Sequence, residues 1–154
     1  MRKSAVIASV FALFAAAAAT AQYLPPKSNS GSPVQITTQQ GVDPAIAAAP
    51  RITREEAIKL IRENKAVYVD VRSRMSYDRG HIKGALSVPN SQLMSRIREL
   101  PAGKMVITYC ACVKEHTAAV AVVNLRSAGW KNAAALSGGW DEWIALGLPI
   151  EKSK

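Results

Sequence analysis

Cysteine and aromatic residues are scarce in this chain, and each scarcity excludes a class of protein. The only two cysteines, Cys110 and Cys112, are separated by one residue, so they cannot link distant parts of a fold, which excludes a disulfide scaffold. Aromatic residues make up 6% of the chain and do not interleave with its 20 scattered lysines and arginines, so we do not expect nucleic-acid binding. The net charge of +9 instead suits a small anionic substrate or an acidic protein partner.

The N-terminal hydrophobic run is short for a membrane span. It covers residues 5–19, whereas a transmembrane helix needs about 20 residues. Arg2 and Lys3 precede the run, and the small residues Ala19 and Ala21 come just before Gln22, a pattern typical of a secretory signal peptide. We predict that residues 1–21 are removed and that the chain is exported, to the periplasm or the medium, without a stable membrane anchor. A retained anchor is the alternative; lipoprotein processing is not expected, because no cysteine follows the run.

The remaining chain divides into a linker and one domain. Residues 22–50 are rich in proline, serine and glutamine and lack hydrophobic periodicity, which predicts a flexible linker. In residues 51–154, predicted strands at 66–71, 85–88, 105–109 and 133–136 alternate with predicted helices that begin near residues 53, 90, 117 and 139. This alternation predicts an α/β domain, with a small parallel β-sheet covered by helices on both faces.

The segment around the cysteines predicts a nucleophile. The strand at 105–109 ends in Cys110, and Thr117 then opens a helix rich in alanine and valine. The unpaired N–H groups and the dipole at a helix N-terminus attract anions and lower the pKa of a thiol. The predicted anion-binding residues are therefore those of the loop: Ala111, Cys112, Val113, Lys114, Glu115, His116 and Thr117. A buried structural cysteine is the alternative for Cys110.

Four separated motifs resemble those of the rhodanese family. They are Asp70-Val71-Arg72, the stretch 77–85 containing Gly80-His81-Ile82, Tyr109-Cys110, and Leu136-Ser137-Gly138-Gly139-Trp140 with Trp143. The resemblance extends from about residue 52 to residue 150. It implies persulfide chemistry, in which the Cys110 thiolate takes sulfane sulfur from a donor such as thiosulfate and passes it to a thiol or cyanide. We predict no cofactor and no metal site, because Cys110, Cys112 and His116 offer only three ligands.

The cysteine loop departs from the common sulfurtransferase pattern. Seven residues, 110–116, precede Thr117, which is one more than that pattern has, and the loop contains no glycine. Phosphatases and arsenate reductases of the same fold use the longer loop, but they carry an arginine where this chain has His116. An oxyanion enzyme is therefore the alternative enzyme, and a non-catalytic redox or binding module that uses both cysteines is the alternative outside enzymes.

Cys112 has two interpretations, whereas Glu115 is predicted to have a structural role. Cys112 has no counterpart in the common family pattern; it is either a resolving thiol that attacks a modified Cys110 or an apolar filler. A disulfide between residues separated by one residue is strained, and strained disulfides are easily reduced. Glu115 and Thr117 are predicted to cap the helix, with Glu115 pointing outward, away from any bound anion.

Residues outside the loop complete the predicted site. Asp70 and Arg72 end a strand beside that of Cys110, where they either orient the loop and bind a substrate anion or form a buried ion pair. His81 is predicted to be structural. Trp140 and Trp143 are predicted to be core residues, with one ring forming a wall of the pocket.

Overall fold

The computed structural model describes residues 43–153. The predicted signal peptide and residues 22–42 of the predicted linker lie outside this part of the chain. The last residues of the predicted linker include a short helix, α1 (Pro44–Ala47), which begins where Asp43 accepts a hydrogen bond from the Ala45 N–H at 2.8 Å. Ala49, which follows this helix, is buried in the core. Packing against the core therefore starts ahead of Arg51.

The described residues form an α/β domain. In chain order its further elements are β1 (Arg51–Ile52), α2 (Arg54–Arg62), β2 (Ala66–Asp70), α3 (Arg74–Arg79), β3 (His81–Ile82), β4 (Leu86–Ser87), β5 (Met105–Tyr109), α4 (His116–Ser127), β6 (Ala133–Leu136), α5 (Gly139–Ala145) and β7 (Ile150–Glu151). Five strands form one parallel sheet in the order β1-β6-β5-β2-β4, and β3 pairs with β7 in a separate antiparallel ribbon. None of the helices in residues 43–153 has the length and apolar character of a bilayer-crossing segment.

Helices cover both faces of the sheet, as predicted. One core cluster places α4 residues such as Val122 against Val69 and Val106, and the other places Ala57 of α2 and Trp143 of α5 against Ile107. The central strand β5 is buried without alternation from its second residue to its last, because a parallel strand covered on both faces has no solvent side. The sheet therefore presents the buried carboxyl end of this strand to the cysteine loop.

The predicted helix near residue 90 is wrong. The chain forms two 3₁₀ turns there, Asn90–Gln92 and Ile97–Glu99, although Leu93 and Leu100 are buried as a helical spacing would require. The Ser95 hydroxyl donates to the Gln92 carbonyl at 2.9 Å, and such side-chain bonds to the backbone compete with helix formation. The segment packs through its leucines without a continuous helix.

Candidate functional site

The cysteine loop lies at the carboxyl edge of the sheet. Cys110 directly follows β5, and α4 begins six residues later at His116. Only 3% of Cys110 is exposed, whereas Cys112 is partly exposed. The strand, loop and helix therefore stand in the predicted order, with the first cysteine inside the domain and the second nearer to solvent.

The two cysteines are joined by a disulfide. Their Cα atoms are 5.7 Å apart, a separation common among protein disulfides. The Thr117 N–H, in the first turn of α4, donates a hydrogen bond to Cys112 Sγ at 3.4 Å. The Cys112 sulfur therefore points toward Cys110 and the start of the helix, and both cysteines are in the oxidised form.

The structure contradicts the outward orientation predicted for Glu115. One carboxylate oxygen, Oε1, accepts a hydrogen bond from the Gly138 N–H at 2.9 Å, and Oε2 is 3.5 Å from Arg51 Nε. The side chain does not cap α4. Lys114 and Glu115 both have left-handed backbone conformations, with φ of 55° and 51°, and this curl turns the carboxylate toward the start of α5. Glu115 therefore fastens the loop to a neighbouring element.

A glycine pair holds the other end of the loop. Gly138 and Gly139 have φ of 74° and 51°, and the Trp140 N–H that follows donates to the Cys110 carbonyl at 3.0 Å. A Cβ on Gly139 would lie 2.4 Å from that carbonyl oxygen, closer than real Cβ atoms come. These positioning residues were not identified as site residues from the sequence, although the Gly-Gly pair after β6 was a visible signal.

Replacing Gly139 with alanine should destabilise the domain more than the same change at an uncrowded glycine. Gly103→Ala is the matched control, because Gly103 also has a positive φ, 80°, but has open space around its Cα. Both variants carry backbone strain, and crowding against the Cys110 carbonyl adds about 1–3 kcal/mol in Gly139→Ala only. Urea unfolding of the two variants measures the difference. Equal losses would mean that the close approach does not constrain the loop.

Asp70 and Arg72 form the buried ion pair, the second of the two predicted arrangements. Arg72 Nη2 is 2.6 Å from Asp70 Oδ2 and donates to the Gly80 carbonyl at 2.7 Å, and its guanidinium lies 4.1 Å from the centre of the Trp140 ring. Asp70 is fully buried, and 10% of the Arg72 side chain is exposed. The guanidinium is therefore already bonded to a carboxylate and a backbone carbonyl and lies against an aromatic ring. Binding of a substrate anion by Arg72 stays a prediction.

The prediction that His81 is structural agrees with its contacts. His81 is buried, its Nδ1 is 2.9 Å from the Tyr77 carbonyl, and its ring stacks on Tyr77 with the centroids 3.6 Å apart. The Ile82 N–H next to it donates to the Tyr109 hydroxyl at 3.1 Å. Burial, assisted by the charge of Asp70, raises the pKa of Tyr109. The neutral hydroxyl therefore supports the backbone beside the end of β5.

Several other loop residues are accessible to solvent. Ala111, Lys114 and His116 are exposed, and Thr117 is half-buried. Trp143 is buried and donates from Nε1 to the Pro149 carbonyl at 3.0 Å. The Arg72 guanidinium lies over both the Trp140 ring, at 4.1 Å, and the Tyr109 ring, at 5.6 Å. Within residues 43–153 no three His, Cys, Asp or Glu side chains come together as a metal site would require. The site is thus a curled loop with a disulfide and exposed basic residues.

Comparison with curated proteins finds relatives that share this domain. The thiosulfate sulfurtransferase GlpE of Pseudomonas fluorescens is 36% identical over 93 residues, which are 60% of this chain and 83% of that protein. The HTH-type transcriptional regulator Rv0324 of Mycobacterium tuberculosis is 32% identical over 127 residues, or 77% of this chain. The chain spans 56% of that regulator's length.

Two solved structures and one family model point to the same family as these relatives. The thiosulfate sulfurtransferase from Pseudomonas aeruginosa has a TM-score of 0.61 and 30% identity, covering 69% of this chain and 21% of that one. The human single-domain sulfurtransferase TSTD1 has a TM-score of 0.56 and 28% identity, covering 63% of this chain and 96% of that one. The model of the rhodanese-like domain matches residues 53–146, which is more than half of the sequence. The chain therefore belongs to the rhodanese-like domain family.

Proposed function

We propose that this protein is a sulfurtransferase whose Cys110 carries sulfane sulfur as a persulfide. The observation that carries the proposal is the position of Cys110, directly after the central strand β5 and within the loop that leads into α4. The relatives named thiosulfate sulfurtransferase support thiosulfate as the donor. The acceptor that we propose is a thiol or cyanide, as the family resemblance implies. The net charge of +9 suits this anionic donor and an acidic protein partner.

The loading step requires the reduced protein. Once the disulfide is open, the Cys110 thiolate attacks the sulfane sulfur of thiosulfate, the sulfur–sulfur bond of the donor breaks, and sulfite leaves with the bonding electron pair. The product is a Cys110 persulfide anion. Backbone N–H groups and the dipole at the start of α4 stabilise both the anionic donor and the anionic product, because they are already oriented before the charge arrives.

The longer loop does not by itself favour phosphate chemistry. Enzymes that transfer phosphoryl groups use an arginine, because its planar guanidinium donates two hydrogen bonds to the oxygens of the phosphoryl group. This chain has the exposed His116 at that position, and Arg51, close to the loop, is paired with Glu115. We therefore propose sulfur transfer and expect no appreciable hydrolysis of an aryl phosphate.

Mass spectrometry tests the loading step directly. After anaerobic reduction and removal of the reductant, the Cys112→Ser variant should gain one sulfur atom from thiosulfate and release one sulfite per chain. This variant isolates loading, because Cys110 is then the only thiol. If the variant gains no sulfur and releases no sulfite, the proposal is contradicted and a non-catalytic binding or redox module is favoured. Strong aryl phosphate hydrolysis by the wild-type protein would favour the oxyanion enzyme instead.

We further propose that the protein acts outside the cytoplasm after removal of residues 1–21. The basic, hydrophobic and small-residue parts of the N-terminal sequence support this. Expression of the full chain in a bacterial host should yield exported protein that begins at Gln22. N-terminal sequencing of material from the periplasm and medium measures this, and a chain that keeps Met1 in the cytoplasm would contradict it.

A further inference from the structure

We propose that Cys112 resolves the Cys110 persulfide and releases the carried sulfur as sulfide, so that the Cys110–Cys112 disulfide is a product of the reaction. This inference rests on the proposed function, because it begins with sulfur already loaded on Cys110. It adds a second chemical step and a second thiol to sulfur transfer. It also changes the fate of the sulfur, which leaves as sulfide without needing a separate acceptor.

The first observation is that the loop holds the two sulfur atoms within bonding contact. The disulfide forms with the loop curled by the left-handed residues Lys114 and Glu115. Contacts to the start of α5 hold this curl at both ends, through Glu115 to Gly138 and through the Cys110 carbonyl to Trp140. A Cys112 thiolate therefore needs no large rearrangement to reach Cys110 Sγ.

The second observation is the difference in exposure between the two cysteines. Cys110 is 97% enclosed, whereas Cys112 is partly exposed. A bulky external thiol has poor access to Cys110 Sγ, but Cys112 is already beside it. The same difference leaves Cys112 as the sulfur that an external reductant can reach once the disulfide has formed.

The third observation is the hydrogen bond to Cys112 Sγ. Its donor is the Thr117 N–H, which lies in the first turn of the 12-residue helix α4, where N–H groups have no partner within the helix. A helix N-terminus stabilises a thiolate, and the thiolate is the form that attacks a sulfur–sulfur bond. The helix therefore activates Cys112 for an intramolecular attack as well as binding anions.

The proposed step balances as a thiol–persulfide exchange. Cys112 Sγ attacks Cys110 Sγ, a bond forms between these two atoms, and the bond from Cys110 Sγ to the sulfane sulfur breaks. The sulfane sulfur leaves with the electron pair and becomes hydrosulfide by taking up from water one proton, equivalent to the one that Cys112 released when it ionised. The two cysteines are oxidised by two electrons in total, and the sulfane sulfur is reduced by two.

Turnover then requires a dithiol reductant, which opens the disulfide by exchange and becomes a disulfide itself. Over the full cycle, one thiosulfate and one dithiol give one sulfite, one hydrosulfide, one proton and one oxidised dithiol. The protein would thus couple a supply of reducing thiols to the release of sulfide.

A single-turnover experiment without any acceptor tests the inference. Wild-type protein is reduced, freed of reductant under anaerobic conditions and mixed with thiosulfate. We expect one sulfite and one sulfide per chain, and a final mass two hydrogen atoms below that of the reduced protein. The Cys112→Ser variant should release one sulfite and no sulfide, and should keep the added sulfur.

Mixing the two single variants supplies the matched control for proximity. Sulfur-loaded Cys112→Ser is mixed with reduced Cys110→Ser, so that both thiols are present on separate chains. Sulfide release from the wild type should be independent of protein concentration and at least ten times faster than from this mixture. Equal rates would overturn the claim that the loop brings the two thiols together for resolution.

The outcomes separate this inference from the proposed function. If wild-type protein releases sulfite but keeps the added sulfur and one free thiol, loading stands and resolution by Cys112 is wrong. If a disulfide forms without sulfide, oxidation of the thiols by another route explains it and the inference is also wrong. If neither the wild-type protein nor the Cys112→Ser variant releases sulfite, the proposed function itself fails.

Discussion

Replacing Cys110 with serine is expected to abolish sulfur loading while the domain stays folded. A serine hydroxyl is not ionised near neutral pH and is a poor nucleophile toward sulfane sulfur, whereas a thiolate at a helix N-terminus is reactive. Serine is close to cysteine in size, so the enclosed site after β5 accommodates it. Sulfite release and sulfur gain from thiosulfate should fall to the background of a reaction without protein.

Cys112→Ser is the matched control for this loss. Both variants remove the same disulfide, so any difference between them reports the chemistry of one thiol and not the loss of the cross-link. Circular dichroism and urea unfolding verify that both stay folded. If the Cys110→Ser variant still gains sulfur and carries it on Cys112, then Cys112 is the primary nucleophile. That result would invert the assignments of the two cysteines.

The second large effect is expected from removal of the buried carboxylate at the end of β2. Asp70→Ala leaves the Arg72 guanidinium enclosed without its anionic partner, and breaking one half of a buried pair costs about 3–5 kcal/mol. The Arg72 contacts with the Gly80 carbonyl and the Trp140 ring do not replace the lost charge. The free energy of unfolding in urea should therefore fall by a large fraction of its total.

An aspartate on the surface supplies the comparison for Asp70. Asp78 pairs with Arg74 at 2.9 Å, one helical turn away in α3, and both side chains are exposed to solvent. Asp78→Ala should cost much less than Asp70→Ala, since water screens an exposed pair. Similar losses for the two variants would mean that the Asp70–Arg72 pair contributes no more than a surface contact, and its place beside Trp140 would then need another explanation.

The elements that frame the site were predictable because their causes are local. The β-branched run at 105–109 forms β5, and Thr53 starts α2 by accepting a hydrogen bond from the Glu56 N–H at 3.3 Å. The apolar positions of α4 face the core as their spacing indicates. The segment after Pro89 differed, since buried leucines alone do not make a helix where side chains bond to the backbone. The short helices α1 and α3 were not predicted.

The contacts that shape the loop were not predictable from its own residues. Glu115 was expected to point outward, but its partners are Gly138 and Arg51, which are distant in sequence and meet it only after β1 and β6 have paired. For the same reason the sequence left open whether Asp70 and Arg72 bind a substrate or each other. Burial of Asp70 favours the ion pair with Arg72 over substrate binding, because an enclosed carboxylate requires a charged partner.

The sequence by itself determined the α/β order, the place of Cys110 after a strand and the presence of a second thiol one residue later. These features depend on periodicity and on short spacings, which neighbouring residues control. Only the tertiary structure decided that Cys112 points toward Cys110 under the Thr117 N–H, that Glu115 fastens the loop to Gly138, and that Gly139 must lack a side chain. These features depend on packing between elements far apart in the chain, because the curl of the loop is set by the surfaces against which it folds.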